Sequence, residues 1–180
     1  DGYFAFEMEK RGAEVIGIDY SPPDVTGFSV ASGILGSRVT YLVENVYDLD
    51  PEKHGHFDIV LFLGVLYHLR NPLLALDRIR KIIKPNGLLF VETHITTNLF
   101  LRLLNIPAWR YYPKDALNKD ATNKWGPNPA AVRAVIEEAQ FHVLADASYF
   151  ERSYVKAQAI EDDGKEYFRK LDSSTGIFGK

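Results

Sequence analysis

Two side chains suited to proton transfer and substrate contact, Tyr67 and His68, follow closely after the unbroken apolar run 59–63. The pKa of a histidine lies near neutrality, so His68 could accept a proton or orient a substrate, with Tyr67 beside it. The alternative is a histidine packed where a strand meets a helix. A short apolar run is typical of a strand buried on both faces of a parallel sheet, and ligands bind just past the carboxyl ends of such strands. We therefore expect residues 64–71 to form the rim of an active site.

Two further candidate positions also follow apolar runs. Asp19 ends the run 15–18, and its carboxylate could accept hydrogen bonds from the two hydroxyls of a ribose, or it could cap the next helix. Asn45 and Val46 follow the run 39–43 and could hold an adenine ring by a hydrogen bond and by packing, although an ordinary turn asparagine is the alternative. If the strand ends converge, Asp19, Asn45 and Gly64 surround one ligand.

Other features carry a weaker signal. Gly2 precedes a helix and could be the last glycine of a turn that approaches a ligand, or it could simply be an arbitrary start. The aromatic residues of 109–125 could stack on a planar substrate or form a small core under a long loop. His54 and His56 have no third ligand in view, so no structural metal is predicted.

Composition limits the classes of protein to consider. The chain has 180 residues, of which 46% are hydrophobic and 25% charged, which suits one globular domain. The net charge of -3 gives no general attraction to nucleic acid, and no apolar run approaches the roughly 20 residues of a membrane span. The absence of cysteine excludes disulfides and thiolate metal sites and fits a cytoplasmic location, which is the prediction.

Apolar periodicity predicts alternating helices and strands. Helices are expected at 3–11, within 23–35, at 72–84 and after Asn128, and strands at 15–18, 39–43, 59–63, 88–91, 141–147 and 154–160. Asn71-Pro72 and Asn128-Pro129 are typical helix starts. This alternation predicts an α/β, Rossmann-like, doubly wound sheet that is mostly parallel, with helices on both faces and an antiparallel C-terminal strand.

The same pattern predicts the domain organisation. One domain is expected over 1–160, truncated at its N-terminus, so that a segment upstream of Asp1 is expected. Residues 93–128 interrupt the alternation and are predicted to be a substrate-side insertion, because long connections are usually lids or binding loops. Residues 161–180 are expected to be a charged tail.

Taken together, the motifs resemble those of the class I S-adenosylmethionine-dependent methyltransferases, over roughly residues 1 to 160. The similar segments are Gly2, Gly17-Ile18-Asp19-Tyr20-Ser21, Glu44-Asn45-Val46-Tyr47-Asp48, the residues from Phe57 to Gly64, and Lys84-Pro85-Asn86-Gly87-Leu88-Leu89. The resemblance implies S-adenosylmethionine as the cofactor. The cofactor-binding residues that it implies are Gly2, Asp19, Tyr20, Asn45, Val46, Leu63 and Gly64.

This sequence departs from the family pattern at several points. The first strand and most of the glycine-rich loop are absent, and Asn45 stands where many members carry aspartate. The segment from Gly64 to Tyr67 also lacks the Asn/Asp-Pro-Pro-Tyr/Phe signature of enzymes that methylate amide or exocyclic base nitrogens.

A narrower resemblance is to the tRNA wobble-uridine methyltransferase-like group, which includes a carboxymethyl-transferring branch. It is carried by the segments 64–68, 111–113 and 123–128. It implies Tyr67 and His68 as catalytic residues, and Tyr112, Trp125 and Asn128 on the substrate side. The acceptor would be a small molecule or a modified tRNA base; the group transferred, methyl or carboxymethyl, and the oligomeric state stay open.

Two other functions are alternatives to methyl transfer. A nicotinamide-dependent dehydrogenase would also use Asp19, but none of the ten tyrosines has a lysine four residues later, as the short-chain enzymes require. A non-catalytic methyltransferase-like partner subunit is the other alternative.

Overall fold

The computed structural model describes residues 1–161, which form two compact units. The first unit is Asp1–Leu49 and the second begins at Asp50. The predicted charged tail lies outside the described residues except for Glu161, and the single domain 1–160 remains a prediction. No helix within the described residues combines the length and the apolar character that crossing a bilayer requires.

The first unit pairs two short parallel strands with two helices. Its elements are α1 (Tyr3–Lys10), β1 (Ile16–Asp19), α2 (Phe28–Leu35), β2 (Thr40–Val43) and a single 3-10 turn at Val46–Asp48. The strands β1 and β2 are parallel, with Asp19 opposite Val43. Phe6 of α1, Phe28 of α2 and Val39 form the buried core of the unit, and the two phenylalanine rings stack 5.1 Å apart. This packing stabilises α1 and α2, although both helices are short and α2 contains glycine and serine.

The second unit contains a mixed sheet and a small hairpin. Its elements are α3 (Pro51–His54), β3 (Phe57–Leu63), a 3-10 turn (Leu66–His68), α4 (Pro72–Ile82), β4 (Ile83–His94), α5 (Leu99–Leu103), β5 (Trp109–Tyr111), β6 (Trp125–Pro127), α6 (Pro129–Glu138), β7 (Phe141–Tyr149) and β8 (Arg152–Ala159). The main sheet has the order β3-β4-β8-β7, in which β3 and β4 are parallel and the other pairs are antiparallel. The prediction of an α/β fold with an antiparallel C-terminal strand is confirmed.

Local sequence accounts for the two long helices of this unit. The side chains of Asn71 and Asn128 accept hydrogen bonds from backbone N–H groups in the first turns of α4 and α6, and a proline follows each of them. Leu76 and Ile79 of α4 are buried as expected, whereas Leu73 is 41% exposed because it lies in the first turn, where the apolar stripe begins.

Three local predictions differ from the structure. α4 ends at Ile82 rather than at residue 84, and β4 begins at Ile83 rather than at residue 88, so that no connection separates the two elements. Residues 93–128 contain α5 and the β5-β6 hairpin rather than an open connection. The short helix α3, for which no element was predicted, ends at His54, whose buried ring Nδ1 lies 2.9 Å from the carbonyl oxygen of Asp50.

Candidate active site

The carboxyl ends of β3 and β4 lie side by side and form the edge on which the candidate site is built. Leu63 pairs with Glu92, and the N–H of Gly64 donates to the carbonyl of Glu92 over 3.0 Å. Gly64 has φ 73°, a conformation that favours glycine. A Cβ at this position would meet only Glu92 Oε2, at 3.6 Å, so the space beside Gly64 is open on its other sides within 4 Å. The chain then turns through 66–68 and presents Tyr67 and His68.

Tyr67 lies at the centre of a group of aromatic and charged side chains. Its ring centroid is 4.1 Å from that of His68 and 5.9 Å from that of His94. The guanidinium carbon of Arg152 lies 5.4 Å from the same ring, and Arg152 Nη1 is 3.0 Å from Glu92 Oε1. Burial alone would lower the pKa of Arg152, but its hydrogen bond to Tyr67 and the neighbouring Glu92 carboxylate raise that pKa above its ordinary value. Arg152 is therefore a fixed positive charge beside Tyr67.

His68 is held by a chain of two hydrogen bonds. Its Nδ1 lies 3.0 Å from Thr122 Oγ1, and the Thr122 hydroxyl lies 2.7 Å from Asp120 Oδ1. Because that hydroxyl has one hydrogen and donates it to Asp120, Nδ1 of His68 is the donor to Thr122, which leaves the lone pair on Nε2. The hydrogen bonds from Thr122 lower the pKa of Asp120. The backbone N–H of Lys124 donates to the carbonyl of Tyr67 over 3.0 Å, so residues 120–124 are anchored to the turn that carries both candidate catalytic residues.

The structure adds a histidine that the sequence analysis did not identify. His94 is the last residue of β4 and is 2% exposed; its Nδ1 lies 4.0 Å from Glu151 Oε2. Its ring centroid is 6.3 Å from that of Tyr112, which is 5% exposed. Neither His94 Nε2 nor the Tyr112 hydroxyl has a hydrogen-bond partner in the described part of the chain. Burial lowers the pKa of His94, while Glu151 partly opposes that shift.

Tyr112, predicted on the substrate side, thus belongs to the same group as Tyr67 and His68, through its neighbour His94. The guanidinium carbon of Arg110 lies 4.7 Å from the Tyr112 ring centroid. Trp125 is linked to the rim, because its Nε1 donates to the carbonyl of Leu69 over 2.8 Å. The Trp125 ring also packs against Tyr111 and Trp109 of the hairpin. These contacts give Trp125 a structural role in addition to any contact with substrate.

Asn128 uses its side chain to hold the backbone. Its Oδ1 accepts from the N–H groups of Ala108 and Ala131, at 3.1 and 2.9 Å, and the residue is 0% exposed. Its Nδ2 lies 2.9–3.2 Å from three backbone carbonyl oxygens of the segment 101–106. The predicted substrate-side role of Asn128 finds no support in these contacts, because the amide is committed to backbone groups. A substrate-side role for Asn128 stays a prediction.

In the first unit, the predicted nucleoside-binding residues come from adjacent strand ends. The N–H of Glu44 donates to the carbonyl of Asp19 over 2.9 Å, which places the ends of β1 and β2 side by side. One carboxylate oxygen of Asp19 accepts from the N–H of Ser21 at 2.9 Å. The Oδ1 of Asn45 accepts from the N–H of Tyr47 at 3.1 Å, so its Nδ2 is the group suited to donating to a ligand.

The other predicted cofactor residues have distinct settings. Val46 begins the 3-10 turn after Asn45, and the side chain of Tyr20 is 78% exposed. Gly2 precedes α1 with φ 88°, and a Cβ there would lie 2.6 Å from a ring carbon of Phe28, so glycine is required for packing as well as for conformation. Leu63 ends β3 and is partly buried. The convergence of Asp19 and Asn45 with Gly64 concerns two different units and stays a prediction.

Comparison with known protein families assigns this chain to one of them. Residues 1–91 match the family described as a methyltransferase domain, which is half of the chain. The chain belongs to the methyltransferase domain family. The resemblance drawn from the motifs is thereby confirmed, and the dehydrogenase interpretation loses its basis.

Curated relatives of this methyltransferase domain fall into two groups. A ubiquinone biosynthesis O-methyltransferase of Xanthomonas euvesicatoria pv. vesicatoria is 34% identical over 92 residues, which cover 51% of this chain and 38% of the relative. A tRNA U34 carboxymethyltransferase of Cellvibrio japonicus is 38% identical over 96 residues, covering 52% of this chain and 30% of the relative. One of Campylobacter fetus is 28% identical over 142 residues, covering 78% and 48%. The matches thus span between 30% and 48% of the length of these relatives.

Solved structures support the Rossmann-like fold of the domain. The 1,6-didemethyltoxoflavin-N1-methyltransferase of Burkholderia thailandensis, solved with S-adenosylhomocysteine, has a TM-score of 0.65 at 17% identity and covers 87% of this chain and 65% of its own. An S-adenosylmethionine-dependent methyltransferase of Mesorhizobium loti has a TM-score of 0.64 at 13% identity and covers 87% and 86%. At these identities the likeness establishes the fold alone.

Proposed function

We propose that this methyltransferase domain transfers a one-carbon group from S-adenosylmethionine to an acceptor that binds at the Tyr67 rim of the second unit. The observation that carries the proposal is the group of Tyr67, His68, Tyr112 and Arg152 at the carboxyl ends of β3 and β4, in a chain of this family. In α/β sheets that end is where ligands bind. The names of the relatives indicate two acceptor classes, a small molecule and a tRNA base.

The residues present fit S-adenosylmethionine in their chemistry. Asp19 offers a carboxylate of which only one oxygen accepts the Ser21 N–H, so it retains capacity for the two hydroxyls of a ribose. Asn45 offers an amide donor to an adenine edge, with Val46 for packing against the ring. The backbone of Gly64 borders an open space that a Cβ would narrow. This space is suited to the methionine end of the cofactor. When bound, S-adenosylmethionine supplies an activated methyl group on a positively charged sulfur.

The chain's own residues then have to align the acceptor and exclude water, because no covalent intermediate on the protein is needed. Tyr67 provides an aromatic surface and a phenolic hydroxyl, with the guanidinium of Arg152 against its ring. His68, with its lone pair on Nε2, accepts a hydrogen bond from the acceptor and orients it. Residues 120–124 hold the turn that carries both of them.

Removing the Asp19 carboxylate tests the cofactor assignment. We expect Asp19→Ala to weaken S-adenosylmethionine binding by more than tenfold, about 1.4 kcal/mol, in a calorimetric titration. Glu14→Ala is the matched control, since Glu14 is an exposed carboxylate of the same unit, and its affinity should equal that of the parent chain. An affinity unchanged by Asp19→Ala would remove Asp19 from the site. Absence of binding in the parent chain would favour a non-catalytic partner subunit.

Transfer of a carboxymethyl group is the second candidate, and Arg152 favours it. A carboxymethyl donor carries an additional carboxylate, and Arg152 is a positive charge held beside Tyr67 at the rim. Glu92 pairs with Arg152 and compensates that charge in part. If the donor is carboxylated, Arg152→Gln should weaken its binding by about tenfold or more while leaving S-adenosylmethionine binding unchanged. Arg133→Gln, at an arginine paired with Asp146 and Glu137, is the control. Equal affinities of the two donors for the parent chain would exclude this branch.

A further inference from the structure

Two buried polar atoms of the second unit, His94 Nε2 and the Tyr112 hydroxyl, have no partner among residues 1–161. Their side chains are 2% and 5% exposed, so bulk solvent scarcely reaches them. Folded proteins retain few such atoms, and those that persist commonly serve a function. Here the two belong to rings in edge-to-face contact, 6.3 Å apart, next to Tyr67. Both atoms are therefore available to a hydrogen-bonding group of a ligand at the Tyr67 rim.

The surroundings of His94 favour a specific tautomer. Glu151 Oε2 lies 4.0 Å from Nδ1, so a hydrogen on Nδ1 faces a carboxylate and the lone pair is left on Nε2. The groups that face the ring are Glu151 and Arg152 at the start of β8, Tyr67 in the 66–68 turn, and Tyr112 after β5. Burial keeps the imidazole neutral near pH 7, and the carboxylate would stabilise the imidazolium once a proton arrives.

His68 lacks this arrangement. It is partly exposed, and its Nδ1 is bound to Thr122, whose hydroxyl is in turn committed to Asp120. The contact of His68 with Thr122 ties the 66–68 turn to residues 120–124. Its position is thus fixed for orienting a ligand. His94 differs in that its acceptor nitrogen is buried and a carboxylate faces Nδ1 without an intervening side chain.

We propose that His94 Nε2 accepts the proton of the methyl acceptor, that Tyr112 holds the same oxygen, and that the acceptor is therefore a neutral hydroxyl on a planar ring. This inference rests on the proposed function. The acceptor oxygen forms its bond to the transferred carbon while its O–H proton passes to His94 Nε2, and the electron pair of the broken carbon–sulfur bond stays on the departing sulfur. Tyr67 and Tyr112 provide the aromatic walls that favour a planar ring.

Nitrogen-15 NMR of the histidine side chains in the 180-residue chain tests the inference without any cofactor. We expect His94 to show the Nδ1–H tautomer at pH 7, with the His94 resonances assigned by their loss in His94→Gln. Phenol is the probe and toluene is its matched control, because the two differ in the hydroxyl. Phenol should shift His94 Nε2 and toluene should not.

Tyr112→Phe provides a second arm that does not depend on how well His94→Gln folds. It removes only the unpartnered hydroxyl, and it should weaken phenol binding by about tenfold in the same titration. The inference is overturned if His94 carries its hydrogen on Nε2, if phenol leaves His94 Nε2 unshifted, or if Tyr112→Phe binds phenol like the parent chain. Loss of S-adenosylmethionine binding would instead contradict the proposed function, so the two failures are distinguishable.

Discussion

At the scale of single residues, the unpartnered hydroxyl of Tyr112 should be a cost to stability. We expect Tyr112→Phe to leave the free energy of unfolding unchanged or raise it by up to about 1 kcal/mol, because a buried hydroxyl without a partner is destabilising. Tyr41→Phe is the contrast: the Tyr41 hydroxyl donates to the carbonyl of Ser21 over 2.8 Å, and its removal should cost about 1 kcal/mol. Urea unfolding measures both, and a clear loss of stability in Tyr112→Phe would show that its hydroxyl has a partner.

The buried His94 should also make stability depend on pH. Burial lowers the pKa of His94 in the folded chain below 6.5, so the unfolded chain binds the proton more readily. Above pH 6.5 His94 is neutral, and the free energy of unfolding is at its full value. It should fall as the pH drops through 6.5 toward the pKa of His94 in the folded chain. His94→Gln should lose this component of the pH dependence, and the exposed His142→Gln should retain it. Identical pH profiles for the parent chain and His94→Gln would refute the buried neutral histidine.

The residues of the site differ in how far the sequence could predict them. Asp19, Asn45 and Gly64, which stay predicted cofactor residues, were chosen by a local rule, since each lies within two residues of the end of an apolar run. His94 was missed because β4 was expected to end at 91, which placed His94 in an insertion; in the structure the strand runs through His94. The structural contacts of Asn128 could not be predicted, because its hydrogen bonds to residues 101–108, distant in sequence, leave no local signature; its substrate-side role stays a prediction.

At the scale of elements, the two asparagine caps allow a direct comparison. Asn71→Ala removes one cap bond of 3.3 Å and should cost about 1 kcal/mol. Asn128→Ala removes a cap and also leaves three partly buried carbonyls of the segment 101–106 without their donor, so it should cost at least about 3 kcal/mol. The Asn128→Ala protein that remains folded should bind S-adenosylmethionine with the affinity of the parent chain. Equal costs for the two variants, measured in urea, would contradict the structural role of Asn128.

Elements with strong local signals were predictable, and those defined by tertiary pairing were not. The helices α4 and α6 begin at Asn-Pro pairs, and the strands β7 and β8 alternate clearly enough to indicate an antiparallel pair. The hairpin of β5 and β6 has only three residues in each strand, joined by a connection of 13 residues, so no short-range turn marks it. It depends on partners that the sequence does not show, among them Leu69, which accepts the Trp125 indole hydrogen bond.

At the scale of the whole molecule, the order of motifs carried more information than any single residue. Five weak segments in the expected order indicated a methyltransferase, and the family match over residues 1–91 confirms that membership. The acceptor is not settled at this scale, because related chains of one fold act on different substrates. The acceptor class that we propose rests instead on the side chains at the rim, above all on His94 and Tyr112.

The most direct test of the central claim is a calorimetric titration of the 180-residue chain with S-adenosylmethionine. The account predicts saturable binding of one molecule per chain with a micromolar dissociation constant, lost in large part in Asp19→Ala and retained in Glu14→Ala. A chain that shows no saturable binding, or an Asp19→Ala variant that binds like the parent, would contradict it.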